Sequence, residues 1–453
     1  MKDDPNFFEH PLLKMIQQQK ESRSAGIYSI CSANRFVVEA AVKQAEYDHS
    51  TLLIEATSNQ VNQFGGYTGL NPARFVAYIR SIAAQMDFPV SQIMLGGDHL
   101  GPNPWQNEAA STAMAKARDM VRDYVLAGFE KIHLDASMRC ADDPGARSGP
   151  LADELIAERA AELCLAAESA YRSNQTKLKA PFYVIGTEVP VPGGAREAGE
   201  SVAATRAEAA RHTIEITKKA FYDRGLQSAW ERVIALVVQP GVEFGDEAVF
   251  RYQAEKAREL SQLIEAYPGL VYEAHSTDYQ TRQALGEMVR DHFAILKVGP
   301  ALTFAFREAV FALEMMESEW LTGKTGITLS RVRNVLDEAM LEQPGYWQKH
   351  YHGDAFDLQY ARKYSFSDRS RYYWLHPRVN QALNVLLSNL SQTAVPLTLL
   401  DQFMPRQAAA VVQGKLNNHP IGLIHHKIME VISTYASACG FGKKELELGK
   451  KAQ

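Results

Sequence analysis

Cysteine is scarce in this chain of 453 residues: Cys31, Cys140, Cys164 and Cys439 stand far apart and form no CxxC pair. In a chain of this size that pattern excludes a disulfide framework and reads as reduced thiols. No stretch approaches the ~18 uninterrupted apolar residues expected of a membrane span. The start, Met1-Lys2-Asp3-Asp4-Pro5, lacks the apolar core of a signal peptide. The expectation is a cytoplasmic protein with no membrane partner. Neither sign of charge dominates: 48 basic and 53 acidic residues leave −5, which argues against nucleic acid as a partner. Nucleotide motifs are missing too. Ser32-Ala33-Asn34-Arg35, after the first apolar run, is not a Gly-rich turn. Leu321-Thr322-Gly323-Lys324-Thr325 resembles the end of a phosphate loop, but Ser318 stands where the first glycine belongs and no strand precedes it. A surface helix or turn is expected there, and no nucleotide cofactor.

What is present is ordinary globular composition, 46% apolar and 22% charged. The chain exceeds the ~250 residues one barrel needs. Eight short apolar runs recur: Ile27–Cys31, Leu52–Ala56, Ile93–Gly97, Lys131–Asp135, Phe182–Glu188, Val233–Gln239, Val271–His275 and Phe293–Val298. They are near-continuously apolar, as strands buried on both faces are. Helical patterns lie between them, at Pro72–Met86, Ala109–Ala127, Asp153–Tyr171, Ala203–Ala220 and Asp246–Ala266. Eight strand-helix repeats predict an α/β fold, a (β/α)8 TIM barrel over residues 1–304. After residue 305 the strand signal fades and helices are expected, at Phe304–Trp320, Leu329–Glu342, Pro377–Asn389, Pro405–Leu416 and Ile421–Ala438. Residues 305–453 are thus read as a helical C-terminal extension. The aromatic stretch Tyr346–Trp374 reads as irregular.

Polar residues gather where the runs end. Glu55 and Asn59 close the second, Asp98-His99 the third, Asp135 the fourth, which also contains His133. Glu188 closes the fifth, Gln239 the sixth, His275 and Asp278 the seventh, and Lys297 lies in the eighth. Burying so many polar groups deep in an apolar barrel would be costly; at the C-terminal rim they would share one mouth, where barrel enzymes place their chemistry. The competing reading is strand-end caps and surface ion pairs. His99 and His275, with Glu188 and Asp135 near them in rim order, suit a divalent ion such as zinc, manganese or nickel. Asp98, Glu188 and Asp135 are the candidate catalytic carboxylates, and Glu188 a third metal ligand. Glu55, Asn59, Gln239, Asp278 and Lys297 are candidate contacts to a substrate. Asn59–Gly69 is rich in amides, which suit polyol recognition or a self-bonded turn. Gly193-Gly194 is a plain loop or an anion wrap. Arg369 and Arg371 either reach the mouth to hold an anion or pair with surface carboxylates.

Several segments together resemble the KbaZ/GatZ family: Ser29–Asn34, Glu55–Gln63, Gly96-Gly97-Asp98-His99-Leu100-Gly101-Pro102, His133-Leu134-Asp135, Gly186-Thr187-Glu188-Val189-Pro190 and Phe366–Trp374. That family is described as the non-catalytic subunit of D-tagatose-1,6-bisphosphate aldolase, and some members carry the label tagatose 6-phosphate kinase. The resemblance implies a barrel with a helical C-terminal part, a catalytic class II aldolase chain as partner, and a small sugar or sugar phosphate as ligand; a homo-oligomer is compatible with it. More distantly the chain is similar to the metal-dependent class II aldolases. There an Asp-His pair supplies an acid/base and a metal ligand, which Asp98-His99 matches, and a later strand supplies a second histidine, which His275 matches. The third histidine falls at Gln239, and Ala274–Asp278 is not Gly-rich. Both departures disfavour bisphosphate cleavage. The resemblance therefore implies a stabilising subunit, or alternatively a metal-dependent ketose 4-epimerase acting on an unphosphorylated sugar such as tagatose, fructose or a ketohexuronate by retro-aldol and aldol steps at C3–C4.

Overall fold

The computed structural model describes residues 9–21, 23–145, 150–174, 178–187 and 202–442. Its centre is a closed barrel of eight parallel strands: β1 Ile27–Ile30, β2 Leu52–Thr57, β3 Ile93–Leu100, β4 Lys131–Leu134, β5 Phe182–Ile185, β6 Val233–Val237, β7 Val271–Ala274 and β8 Phe293–Val298. Each strand pairs with its sequence neighbour, and β8 closes on β1 through Ile27 opposite Ile295 and Ser29 opposite Lys297. All eight fall within or around the expected runs. They are buried on both faces because helices cover the outside and side chains fill the inside.

One end and the outer wall of the barrel are completed by parts of the chain whose roles the apolar runs did not reveal. Helix Pro11–Lys20 begins with Pro11 at its first position and the His10 ring accepting from the Leu12 amide. Its Leu12, Met15 and Ile16, spaced to share one face, pack on Leu53, Met94, Phe182, Val271 and Ile295, the inward residues near the strand starts. This plug closes the N-terminal end. On the outside, helix Pro420–Ala438 packs against β1 and against helices Arg35–Asp48, Arg282–Arg290 and Pro300–Leu321. Tyr435 donates to the Thr277 carbonyl at 2.7 Å, and His425 lies 2.9 Å from Glu39. The last long helix therefore belongs to the barrel wall. Helix Pro300–Leu321 is apolar on nearly every face because the wall lies on one side and later helices on the other. The boundary placed at residue 304 falls inside that helix.

Other expectations need correction. The helix expected over Asp246–Ala266 starts only at Ala254, because a two-stranded ribbon, Glu243–Phe244 with Val249–Phe250, occupies its front. The stretch read as irregular contains helix Ala355–Tyr364, whose start is fixed by a capping box between Asp354 and Asp357. Leu321–Thr325 ends a helix in an exposed turn, with Lys324 Nζ 3.6 Å above the Trp320 ring. Among the described residues no helix is long and apolar enough to cross a membrane.

Candidate functional site

Side chains two apart in a strand point the same way. Leu53, Phe182 and Val271 face the barrel interior near the plug. One step along the same strands the inward positions become Glu55 and Glu273, and Lys131 and Lys297 join them, all buried. Lys131 Nζ lies 2.8 Å from Glu55 and 2.5 Å from Glu273. Lys297 Nζ pairs with Glu55 and lies 2.9 Å from Asp98. Gly96, opposite Glu55 in the register, keeps the space this carboxylate needs: a Cβ there would come 2.7 Å from Glu55 Cγ. The interior thus carries a deep layer of charge, contrary to the expectation that cost would confine polar groups to the rim. Pairing offsets much of the desolvation, which is several kcal/mol per ion when uncompensated.

The next step up presents Asp98, His133 and His275. Their placement depends on an irregularity in β3. Gly97 pairs with Ile132 but Leu100 pairs with Leu134, so β3 carries one extra residue, and His99 adopts a left-handed backbone (φ 49°). The bulge breaks the alternation, so that neighbours Asp98 and His99 both reach the mouth. It also explains why Asp98-His99 lie within the strand rather than after it. Immediately beyond, Gly101 runs against β4: a Cβ there would sit 1.6 Å from the Asp135 carbonyl oxygen. Gly101→Ala is therefore expected to push Asp135 away from His99, lowering the denaturation midpoint in urea and reducing ligand binding at the mouth. A variant with unchanged midpoint and binding would show that this contact is not needed.

Each of three imidazoles meets a carboxylate. His99 Nδ1 is 2.7 Å from Asp135, His133 Nδ1 3.0 Å from Asp98, and His275 Nε2 3.0 Å from Glu273. Their ring centres lie 4.7 to 5.2 Å apart. Burial alone would raise the Asp98 carboxyl, but His99, Lys297 and His133 outweigh it and hold the group well below the usual carboxylate range. Burial would lower the His99 imidazole, and Asp98 and Asp135 reverse that, so it is raised. Burial dominates at His275, which is pushed down to about 4 and is neutral near pH 7. Donor atoms of Asp98, His133, Glu273 and His275 all lie within 4.8 Å of one another. Two imidazoles and two carboxylates are a donor set for a divalent transition ion. His133 Nε2, buried and without a hydrogen-bond partner, is an unsatisfied donor position in that set. The residues present therefore fit a divalent ion. They do so with a ligand group different from the expected His99, His275 and Glu188: His275 belongs to it, His99 is turned to Asp135, and Glu188 lies outside the described residues, as do Gly193-Gly194.

Above this cluster opens a cavity of about 290 Å³. Asp98, His99, His275 and Lys297 line it from the barrel, Asn59, Gln60 and Tyr67 from the loop after β2, and Arg369, Arg371 and Tyr372 from the C-terminal segment. Asp278 lines it too; its Oδ1 accepts from the Gly299 and Ala301 amides, and burial pushes its carboxyl up to about 6. Both arginines thus line the mouth. Arg371 donates to the Ser367 and Asp368 carbonyls and to the Tyr372 hydroxyl, while Arg369 Nε is buried with no partner. Glu55 and Asp135 support the cluster from beneath and behind, paired with lysine and His99. Gln239 does not join the cavity lining; its side-chain oxygen accepts from the Gly241 and Val242 amides and shapes its own turn. Sequence reasoning overlooked Lys131 and Glu273. The signal was there: Lys131-His133-Asp135 and Glu273-His275 repeat at two, the period of one strand face.

The family described as "D-tagatose-1,6-bisphosphate aldolase subunit GatZ/KbaZ-like" matches residues 12–440. A crystal structure described as a probable tagatose 6 phosphate kinase from Sinorhizobium meliloti 1021 is 43% identical, covers 91% of this chain and 100% of its own, and superposes with a TM-score of 0.83. More remote are a fructose-bisphosphate aldolase from Campylobacter jejuni (11% identity, 84% of this chain and 91% of its own, TM-score 0.46) and the fructuronate-tagaturonate epimerase UxaE from Cohnella laeviribosi (12% identity, 92% and 82%, TM-score 0.45).

Proposed function

The chain belongs to the GatZ/KbaZ-like family of D-tagatose-1,6-bisphosphate aldolase subunits, and on that premise we propose that its barrel mouth is itself a working site, one that epimerises a phosphate-bearing ketose at C4. The observation that carries the reading is Asp98, buried at the cavity floor yet held ionised between Lys297 and three imidazoles. A purely structural barrel would be as stable or more so with apolar residues there, since buried ion pairs often cost more than they return. Retaining such a cluster beneath an open cavity is the mark of chemistry.

The ketose lies with its phosphate toward Arg369, whose Nε lacks a partner, and its hydroxyls on Asn59 and Gln60. Asp98 takes the proton from the C4 hydroxyl. The C3–C4 electron pair moves toward the C2 carbonyl, giving an enediolate and an aldehyde. The ammonium of Lys297 and the ring of His99 face the new negative charge. The aldehyde turns while its phosphate stays anchored, the bond re-forms on the other face, and Asp98 returns the proton. A divalent ion held by His133, Glu273 and His275 would supply polarisation of the carbonyl. Loss of a bisphosphate-cleaving role is compatible with this, because the fragments recombine instead of leaving.

The test is incubation of purified protein with fructose 6-phosphate or tagatose 6-phosphate and Mn²⁺, Ni²⁺ or Zn²⁺, with products followed by NMR. Interconversion that EDTA abolishes and the ion restores is expected. Absence of interconversion with all three ions sinks the reading. The family description, which names a subunit, favours a second role: binding and stabilising a catalytic class II aldolase chain. Co-purification that lengthens the lifetime of that chain is its expected result; an unaltered lifetime argues against it.

A further inference from the structure

Arg307 is among the largest fully buried side chains, 1% exposed, and it lies outside the cavity. Its Nε donates to Asp368 Oδ1 at 2.9 Å, and its Nη1 donates to the Lys363 carbonyl. The guanidinium stands 4.2 Å from the centre of the Phe304 ring, with Phe311 and Tyr364 also beside it. Asp368 in turn is 2% exposed and left-handed, with φ 43°, a conformation that persists in a non-glycine residue only where its surroundings impose it. The Ser370 hydroxyl adds a second hydrogen bond to the same Oδ1 at 2.8 Å. The residues immediately after this strained point are the ones that face the cavity: Arg369, and Arg371, whose guanidinium folds back on the Ser367 and Asp368 carbonyls.

We infer that Arg307 is a positioning residue: by clamping Asp368 in its left-handed turn it aims Arg369 and Arg371 at the anionic end of the ligand. The inference rests on the phosphate-bearing ketose reading of the cavity. Helix Pro300–Leu321, which carries Arg307, starts directly after β8, the strand of Lys297. One rigid helix thus references the anion grip to the barrel floor, and the distance between the two ends of the ligand is set by the fold rather than by a loop. Without the clamp, the turn relaxes to a right-handed or extended backbone, and both guanidinium groups swing with it. Lysine can keep the charge beside the aromatic rings but not the planar fork.

Inorganic phosphate is the probe, because its binding needs no turnover. Titration calorimetry of the full chain is expected to show phosphate binding that Arg369→Met abolishes. Arg307→Met is expected to weaken it tenfold or more, and Arg307→Lys less, while each variant melts cooperatively with an unchanged near-ultraviolet spectrum. Asp368→Asn, which tolerates the left-handed backbone, provides a second route should Arg307→Met fail to fold; a fivefold or greater loss is expected. Phosphate affinity within twofold of the parent in folded Arg307→Lys and Asp368→Asn overturns the positioning role and leaves the anion reading intact. A parent that binds no phosphate overturns both.

Discussion

Asp98→Asn is expected to lower the turnover number of the C4 epimerisation about 10³-fold or more while leaving the fold and ion binding in place. General-base removal typically costs 10² to 10⁴, and no neighbour substitutes for this carboxylate. His99 is already turned to Asp135, His275 to Glu273, and Asp278 is anchored on two backbone amides. The amide is nearly isosteric, and Lys297 keeps Glu55 as partner, so the effect should fall on the rate and not on stability. Ion binding separates two roles for the same side chain. If Asp98→Asn retains the ion but loses turnover, the carboxylate works as the base while His133, Glu273 and His275 hold the ion. If the ion is lost as well, Asp98 is a ligand and the base must be sought among Asp278 and the residues after β5. Turnover within tenfold of the parent removes Asp98 from the mechanism altogether.

The largest effect on stability is expected from Lys131→Met. Lys131 has no exposed surface and sits between Glu55 and Glu273, which are equally buried. Removing one partner of a buried ion pair strands the other charge and typically costs about 3–5 kcal/mol. Glu55 keeps Lys297, but Glu273 is left only Lys297 at 3.8 Å and the His275 ring. Lys131→Met with Glu273→Leu should recover part of the loss, because the second change removes the stranded charge; additivity of the two costs would contradict the coupling. Urea denaturation of the three variants measures this directly. The pH dependence has a defined sign. Burial alone would raise Glu273, but Lys131 and Lys297 hold it well below the usual range, so its contribution is present above the unfolded value of about 4.3 and is lost as pH falls toward the folded one. Burial would lower Lys131, but Glu273 and Glu55 raise it; its contribution is present below about 10.4 and is lost as pH rises beyond that. The contribution of this pair should therefore be constant across neutral pH and be lost on acidification, so the stability difference between the parent and Lys131→Met should narrow as pH falls.

Much of this protein was written in local patterns that need no tertiary information. Eight apolar runs with helices between them determine a closed barrel, because parallel strands buried on both faces need that covering and eight units close the ring. Asp98, His99, His275 and Lys297 were legible as members of one mouth for the same reason: strands running in parallel bring their ends together. Three matters were decided only by the folded chain. The bulge at Asp98-His99 depends on how β3 pairs with β4, and no single strand records its partner's register. The pairing of Lys131 with Glu55 and Glu273 spans three strands, so no single strand records that a buried charge on it will meet its partner. Helix Pro420–Ala438 joined the barrel wall although it lies over a hundred residues past the last strand; an apolar helix states that it must be buried, and only packing decides against what.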